Sequence, residues 1–261
     1  MCVSKFSFDN IKGLLFDLDG VLYVEEELVE GAVETVSYIK SKKIPCRFLT
    51  NTTTRSLDAL YQKTTRLGLE IDREEIFTPP KIAAHYLRKK GQPSLLLILQ
   101  ENTKLEFAGF RQDDINPDVI VIGHYSDRWN YALMNRLFHL IMNGAELLAL
   151  HKGRYWETDR GLTLDIGAFI TGLEYATGVT ATVVGKPSED FFRVAVEDMG
   201  IAPSEAAMIG DDIVSDIGGA QLAGLSGILV KTGKYREDIV AKSSVKPQLT
   251  VDSVASLRKL L

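Results

Sequence analysis

Two aspartates at the end of a short apolar run constrain the fold of this chain more than any other feature. The apolar run 14–16 leads directly into Asp17, and Asp19 and Gly20 follow. An unbroken apolar run is typical of a central parallel strand that is buried on both faces. The two acids are therefore predicted at the carboxyl end of that strand, where open α/β sheets bind ligands. Calcium-binding loops and ordinary turns also use D-x-D-G, so the motif alone leaves those alternatives open.

Composition and charge restrict the class of protein. A chain of 261 residues with 45% hydrophobic content can bury a large core, as one large α/β domain or two smaller ones. The formal net charge of -5 argues against a general nucleic-acid surface and leaves small charged substrates open, with the help of a cation. Cys2 and Cys46 predict no disulfide framework and favour a reducing compartment. The longest apolar run, 95–99, is too short to cross a bilayer, so we expect a soluble, cytoplasmic protein.

A hydroxyl-rich turn follows the second predicted strand. Apolar residues at helical spacing predict a helix over 31–42, and the next strand is expected over 44–49. Thr50, Asn51 and three further threonines lie where that strand meets a helix expected over 57–67. Such a turn offers hydroxyls and backbone N–H groups to an oxyanion. The alternative interpretation is simple N-capping of the helix.

A second set of strands and helices interrupts the chain. Strands are expected over 95–99, 119–122 and 146–150, and helices over 129–142 and 166–177. A set of about 100 residues has the size of a small domain. We therefore expect a core domain formed by 1–78 and 181–261, and an inserted α/β domain over 79–180. Because each strand of the first and last thirds is followed by a helix, the core is predicted to be a doubly wound parallel sheet.

The inserted segment contains a polar and aromatic loop. Its chemistry-bearing residues are His151, Arg154, Tyr155, Trp156, Asp159 and Arg160. Loops of this composition often make specificity contacts, but a solvated hairpin tip has the same composition, and both interpretations stay open. The histidines of the chain show no metal-ligand spacing and are expected to be packing or surface groups: His85, His124, His139 and His151.

The last third of the chain adds a lysine and three more acids near strand ends. Lys186 follows the apolar pair 183–184, in a turn where a lone lysine is usually a solvated charge. The apolar run 206–209 predicts a strand that releases Asp211 and Asp212, with Asp216 a little further on. Acids are therefore expected at the same edge of the sheet as the first pair.

Taken in order, these motifs resemble the four motifs of the haloacid dehalogenase (HAD) superfamily. They are Asp17-Leu18-Asp19-Gly20, Thr50-Asn51, Lys186-Pro187, and Gly210-Asp211-Asp212 with Asp216. The insertion between the second and third motifs is similar to the type II cap of the NagD-like phosphatases. The sequence departs from the family pattern at 163–167, where a glycine-rich turn would be expected. Four motifs in the right order are far more specific than any one of them.

The resemblance implies a Mg²⁺-dependent phosphatase that acts on a small phosphorylated metabolite or a pyrophosphate-like substrate. Asp17 would be the nucleophile that forms an aspartyl-phosphate, since a carboxylate can attack phosphorus. Asp19 would protonate the leaving oxygen and later take a proton from water. The carboxylates of Asp17 and Asp211 would hold Mg²⁺, together with the backbone carbonyl that the family assigns to Asp19.

The remaining motif residues have supporting roles in this scheme. Thr50, Asn51 and Lys186 would hold the phosphoryl oxygens and neutralise developing charge. Asp212 and Asp216 would orient the metal's waters or Lys186.

Other functions stay open at this stage. A dehalogenase of the same superfamily needs neither the metal nor an acid at the second position, so Asp19 and Asp211 argue for phosphate chemistry. A non-catalytic protein that binds a phosphate ligand would keep the fold, but the intact motifs argue against it. No nucleic-acid or membrane partner is expected. The sequence fixes neither the substrate nor the oligomeric state, and a homodimer through the cap is left open.

Overall fold

The computed structural model of the protein describes residues 7–158 and 161–261. It divides into two compact units. The first consists of Met1–Thr50, Leu57–Phe77 and Lys186–Leu261, and the second of Asn51–Ser56 and Thr78–Gly185. The second unit thus includes a short piece of the hydroxyl-rich turn as well as the inserted segment.

Strands and helices alternate along the described chain. The strands are β1 (Gly13–Asp17), β2 (Tyr23–Val24), β3 (Glu27–Leu28), β4 (Cys46–Leu49), β5 (Ile76–Phe77), β6 (Leu95–Ile98), β7 (Val119–Ile122), β8 (Glu146–Ala149), β9 (Tyr155–Thr158), β10 (Gly161–Leu164), β11 (Thr182–Val183), β12 (Ala206–Gly210), β13 (Ser226–Val230) and β14 (Leu249–Val251). The α-helices are α1 (Ala32–Ser41), α2 (Leu57–Arg66), α3 (Pro79–Lys89), α4 (Glu101–Lys104), α5 (Tyr131–Met142), α6 (Gly167–Thr177), α7 (Glu189–Met199), α8 (Gly219–Leu222) and α9 (Glu237–Lys242). Short 3-10 turns occur at Arg73–Glu75, Leu105–Phe107, Ser126–Arg128, Pro203–Glu205 and Val254–Lys259, and a π-helical turn at Ile213–Gly218.

The first unit is built on a parallel sheet with the strand order β14-β13-β12-β1-β4-β5. Strand β1 is central and pairs in parallel with both β12 and β4. Leu14, Leu15 and Phe16 have no exposed surface, as expected for a central parallel strand covered on both faces. The predicted doubly wound parallel sheet is confirmed. Asp17, Thr50 and Asp211 consequently lie at one edge of this sheet, where β1, β4 and β12 end.

The second unit has its own parallel sheet in the order β11-β8-β7-β6. Strand β7 is fully buried. The hydrophobic core of this unit combines residues of β7 with apolar side chains of α5 and α6, such as Leu137 and Ile170. Strands β9 and β10 form a separate antiparallel hairpin. The inserted segment is therefore an α/β unit with its own hydrophobic core. In the described part of the chain, no helix combines the length and apolar character needed to cross a bilayer.

From the sequence, a closing helix is expected over 251–261, and this expectation is wrong. The backbone of Val251 belongs to β14, where its carbonyl accepts a hydrogen bond from the Lys231 N–H at 3.0 Å. A 3-10 turn then places Val254 and Leu257 in the core. Apolar residues three apart face the same side in both helix types, so the pattern could not distinguish them.

Candidate active site

A buried lysine joins two acids at the carboxyl edge of the first sheet. Lys186 Nζ lies 2.6 Å from Asp17 Oδ1 and 2.7 Å from Asp216 Oδ1. The lysine side chain is only 3% exposed, so it is not the solvated loop charge that a lone lysine suggests. Removing one partner of such a buried ionic group leaves an uncompensated charge, so the three side chains form one interdependent cluster.

The electrostatics of this cluster of Lys186, Asp17 and Asp216 favour the binding of a further cation. Burial and the negative charge of Asp216 raise the pKa of Asp17 well above its usual range, although Lys186 opposes the shift. Burial lowers the pKa of Lys186, but the charges of Asp17 and Asp216 outweigh it and raise the pKa above its usual value. The lysine therefore stays protonated, while the acids repel one another more than one lysine can offset.

Asp211 has one carboxylate oxygen fixed and the other without a protein partner. Its Oδ2 accepts a hydrogen bond from the Lys234 backbone N–H at 2.7 Å. Its Oδ1 is buried and has no hydrogen-bond partner among the described residues. Burial, with the charge of Asp216, raises the pKa of Asp211 to about 6. A buried, unsatisfied carboxylate oxygen is costly, and a bound cation would satisfy it.

Two glycines make this position of Asp211 sterically possible. A Cβ on Gly20 would lie 1.9 Å from Asp211 Oδ2, and one on Gly233 would lie 2.0 Å from the same atom. Both glycines also have positive φ, which other residues rarely adopt. The glycine of the D-x-D-G motif therefore makes room for an acid that lies far along the chain.

The carboxylates fit a divalent cation. One oxygen each from Asp17, Asp211 and Asp216 lie within 4.8 Å of one another, and all three residues are buried. Oxygen-only ligands of this kind suit Mg²⁺, which binds through one or two carboxylates and keeps several waters. The third carboxylate is that of Asp216, for which the sequence suggested a supporting role. The predicted contribution of the Asp19 carbonyl stays a prediction.

The π-helical turn after β12 brings Asp216 back to the strand end. Asp216 Oδ2 accepts hydrogen bonds from the backbone N–H groups of Asp211 at 3.2 Å and Asp212 at 3.1 Å. Asp212 Oδ1 accepts from Val214 N at 2.9 Å and Ser215 N at 3.0 Å. Asp212 thus caps the turn, while Asp216 connects it to Lys186. π-helical turns often occur at functional sites.

Asp19 is the more accessible acid of the D-x-D pair. It is half-buried, whereas Asp17 is 5% exposed. Thr50 Oγ1 donates a hydrogen bond to Asp19 Oδ2 at 3.3 Å, and Thr50 N donates to the carbonyl of Phe77 at 3.0 Å. The structure therefore brings Thr50 and Asp19 together at the edge where Asp17 emerges.

Asn51, the neighbour of Thr50, belongs to the second unit. The segment Asn51–Ser56 is held there by two side chains of α4. Thr103 Oγ1 donates to the Thr53 carbonyl at 3.0 Å, and Asn102 Nδ2 donates to the Thr54 carbonyl at 3.2 Å. The proposed contact of Asn51 with phosphate stays a prediction.

The polar loop of the second unit forms the β9–β10 hairpin and a histidine–aspartate pair. His151 Nε2 lies 3.1 Å from both carboxylate oxygens of Asp165. The histidine spacing gave no sign of this pair, because its partner is an acid further along the chain. Arg154 and Tyr155 are exposed. The other loop residues named above, Asp159, Arg160 and the side chain of Trp156, lie outside the described residues, as does Cys2.

The sequence interpretation missed Lys234. This residue follows β13 at the same edge, and its backbone N–H holds Asp211. The available signal was Thr232-Gly233-Lys234 directly after a predicted parallel strand, a position where ligand-binding loops are common.

A parallel sheet that presents acids and a buried lysine at its carboxyl edge defines a hydrolase of the HAD type. Two family models match the chain: a haloacid dehalogenase-like hydrolase model over residues 14–111 and a HAD-hydrolase-like model over residues 183–257. The chain therefore belongs to the haloacid dehalogenase-like hydrolases.

Two similar proteins narrow the position of this chain within the haloacid dehalogenase-like hydrolases. Haloacid dehalogenase-like hydrolase domain-containing protein 2 of Bos taurus is 41% identical over 93% of each chain. The phospholysine phosphohistidine inorganic pyrophosphate phosphatase of Homo sapiens is 37% identical over 96% of this chain and 94% of the relative.

Solved structures agree with these relatives. A p-nitrophenyl phosphatase from Archaeoglobus fulgidus has a TM-score of 0.90 and 26% identity, covering 96% of this chain and 99% of that one. NagD from E. coli K-12 has a TM-score of 0.86 and 28% identity, covering 94% of this chain and 97% of that one. The expected membership among the NagD-like HAD phosphatases, with a core and an inserted cap domain, is confirmed, and the chain is an enzyme of this class.

Proposed function

We propose that this chain is a Mg²⁺-dependent phosphatase that hydrolyses a small phosphorylated substrate through an aspartyl-phosphate on Asp17. The observation that carries the proposal is the position of the Asp17 carboxylate. It is buried at the end of the central strand, 2.6 Å from a protonated lysine and grouped with the carboxylates of Asp211 and Asp216.

The reaction needs two displacements at phosphorus. In the first, a carboxylate oxygen of Asp17 attacks the phosphorus, the bond to the leaving oxygen breaks, and that oxygen takes a proton from Asp19. In the second, Asp19 accepts a proton from water, which attacks the phosphorus and releases inorganic phosphate, regenerating the Asp17 carboxylate. The greater accessibility of Asp19 supports its role as the group that exchanges protons.

Charge neutralisation supplies the rest of the catalysis. Lys186 holds its proton among buried carboxylates, so it can offset charge that develops on the phosphoryl oxygens. Mg²⁺ held by Asp17, Asp211 and the Asp19 carbonyl would reduce the repulsion between the acids and the phosphate. We assign Thr50 and Asn51 to hydrogen bonds with phosphoryl oxygens, and Asp216 to the positioning of Lys186.

The second unit is proposed as the cap that reads the remainder of the substrate. The similar proteins named above include an inorganic pyrophosphate phosphatase and a p-nitrophenyl phosphatase, which supports a small phosphorylated compound as the substrate class. Cys46 is a free, buried thiol, which supports the proposal of a reducing, cytoplasmic environment.

An assay of inorganic phosphate release tests the proposal. p-Nitrophenyl phosphate, pyrophosphate and a set of phosphorylated metabolites are incubated with Mg²⁺, with Ca²⁺, or with excess chelator. We expect release with Mg²⁺ only, and inhibition by Ca²⁺, because Ca²⁺ accepts more ligands at longer distances and can bind Asp17 through both oxygens. Full activity in chelator contradicts the metal requirement. Phosphate binding without turnover would favour a binding protein, and halide release from a haloacid would favour a dehalogenase.

A further inference from the structure

Two buried side chains of the first unit form a cation–π pair beside the D-x-D-G motif. Lys63 of α2 is 4% exposed, and Tyr23 of β2 has no exposed surface. The Lys63 Nζ lies 3.8 Å from the centre of the Tyr23 ring. An ammonium that has lost its water gains more from an aromatic face than an exposed ammonium does. The pair therefore fixes Tyr23 against α2.

Tyr23 closes the turn that carries the motif. Its backbone carbonyl accepts a hydrogen bond from Gly20 N at 2.7 Å, and Asp19 and Tyr23 form an isolated β-bridge. The carbonyl of Gly20 in turn accepts a hydrogen bond from Thr232 Oγ1 at 2.5 Å. Both backbone polar groups of Gly20 are thus held, and the position of its N–H depends on where Tyr23 lies.

The N–H of Gly20 and the carbonyl of Asp19 belong to the same peptide group. A peptide group is planar and trans, so the hydrogen bond that orients the N–H also orients the carbonyl. That carbonyl is the backbone ligand of the proposed Mg²⁺ site. A chain of contacts therefore runs from Lys63 through Tyr23 and Gly20 to a metal ligand, and all of it lies within the first unit.

We infer that Lys63 is a positioning residue for the metal site. Its ammonium holds the ring of Tyr23, and the Tyr23 carbonyl holds the peptide group that presents the Asp19 carbonyl to Mg²⁺. This inference rests on the proposed Mg²⁺-dependent function. In this scheme Lys63 acts only through Tyr23 and contacts neither the substrate nor the metal.

The sign of the effect separates positioning from simple charge. By charge alone, a lysine opposes the binding of a cation in the same unit, so Lys63→Met would strengthen Mg²⁺ binding. By positioning, loss of the ammonium loosens the Asp19–Gly20 peptide group and weakens Mg²⁺ binding. Contacts that orient a metal ligand are typically worth about 10- to 100-fold in metal affinity.

Four single variants form the design. Lys63→Met removes the charge but keeps an apolar side chain, whereas Lys63→Arg keeps a cation that stacks on aromatic faces. Tyr23→Leu removes the ring and leaves the lysine in place. Arg66→Met is the control, because Arg66 is also a cation of α2 that contacts the β2–β3 hairpin. Its partner is Glu26 at 2.5 Å, and the two side chains are 63% and 54% exposed.

Calorimetry with Mg²⁺ alone measures metal affinity on the full chain without turnover. We expect Lys63→Met and Tyr23→Leu each to weaken Mg²⁺ binding about tenfold. The double variant should lose no more than either single variant, because both break the same contact. Lys63→Arg should stay within about threefold of wild type, and Arg66→Met within about twofold. Unchanged or tighter Mg²⁺ binding by Lys63→Met, or an equal loss in Arg66→Met, would overturn the inference.

Amide hydrogen exchange gives a readout that needs no metal. The Gly20 N–H should exchange about tenfold faster in Lys63→Met than in wild type. The Leu14 N–H, which donates to the Pro45 carbonyl at 2.9 Å, should keep its wild-type rate. Equal acceleration at both amides, or none at Gly20, contradicts the inference. So does failure of both Lys63→Met and Tyr23→Leu to fold, since the pair would then serve stability; if one of them folds, that variant decides.

The inference and the proposed function fail separately. If the wild-type chain binds Mg²⁺ but releases no phosphate from any compound, the proposed hydrolysis is wrong, and the Mg²⁺ affinities of the variants still decide the role of Lys63. If the wild-type chain binds no Mg²⁺, the inference is overturned. Phosphate release without a metal would in that case leave the hydrolysis standing.

Discussion

The two parallel sheets of this protein present different chemistry at the same structural position. In the first unit, Asp17, Thr50 and Asp211 follow strand ends at the carboxyl edge. In the second unit, β7 is followed by Gly123 and β8 by Leu150. The architecture of strand, turn and helix is shared, but the side chains that it presents are not. A fold supplies positions, and the residues at those positions decide the chemistry.

Packing explains part of the difference. A Cβ on Gly123 would lie 2.7 Å from Leu99 and 2.8 Å from Leu150, so the strand ends of the second sheet are closed by apolar contacts. Within residues 7–158 and 161–261, only the first unit contains a group of three side chains that are of metal-ligating type and close enough together to hold a metal. Asp165 of the second unit is engaged with His151 instead.

The largest expected effect contrasts one acid from each unit. Asp17→Asn should reduce kcat by at least several powers of ten, upward of ~4 kcal/mol, because the covalent route is lost. Asp165→Asn also neutralises a partly buried acid but should cost less than about tenfold, since it touches no proposed reacting group. Steady-state kinetics and circular dichroism on both variants check this. Comparable activity of Asp17→Asn and wild type would remove Asp17 as nucleophile.

The second effect concerns Asp19 and depends on the leaving group. Alkyl phosphates need a proton on departure, whereas p-nitrophenolate leaves without one. Asp19→Asn should therefore slow the phosphorylation step for an alkyl ester about 100-fold more than for p-nitrophenyl phosphate. Single-turnover kinetics measure that step. Equal losses for the two esters would show that Asp19 is not the acid.

The third effect is on stability and tests the metal site without turnover. The raised pKa of Asp211, about 6, exceeds the unfolded value, so the folded state binds more protons between about pH 4 and 6. The free energy of unfolding of the metal-free protein should then fall as the pH rises through this range. Mg²⁺ should offset the loss, raising Tm by a few degrees more at pH 7.5 than at pH 5.

Asp211→Asn is the control for this measurement. It removes the titrating carboxylate, so the Mg²⁺-dependent increase in Tm should become small at both pH values. An increase in wild-type Tm that is the same at pH 5 and pH 7.5 would contradict the assigned site.

The smallest effect belongs to the second unit. Arg154→Ala and Tyr155→Ala should change kcat/KM a few-fold for large substrates and little for p-nitrophenyl phosphate, because remote contacts provide binding energy only to substrates that reach them. Tyr175→Ala is a matched control, since Tyr175 is 92% exposed on α6. A uniform profile across several phosphate esters would favour the hairpin as a solvated tip, with specificity determined elsewhere.

Local patterns were sufficient to predict the sheet and the first pair of acids. Leu14 to Phe16 form an unbroken apolar run, and a run of this kind fits a central parallel strand before any tertiary contact is known. Because Asp17 and Asp19 come at the end of this run, both acids are predicted at the carboxyl edge of the sheet. The restart of the strand-and-helix pattern after the first third of the chain also predicted a second α/β segment.

Contacts between distant segments could not be predicted in the same way. Lys186 and Asp17 are 169 residues apart, so the ion pair depends on the folded sheet. Asp216 lies five residues after Asp211, and residues five apart face different sides of an ordinary α-helix. The π-helical turn brings the Asp216 carboxylate back to the Asp211 backbone N–H. Lys234 was missed because Thr232-Gly233-Lys234 indicates a loop at the carboxyl edge but not which backbone N–H will hold an acid.

The parallel pairing of β1 with β12 also has a consequence for biosynthesis. Residues 13–16 pair with residues 206–209, so the central strand leaves the ribosome long before its neighbour has been translated. Most of the second unit, Thr78–Gly185, is contiguous and can acquire its structure while that neighbour is still missing. We therefore expect the nascent chain to carry a folded insert and an incomplete first unit until its last quarter emerges, with hydrolysis impossible until translation is nearly finished.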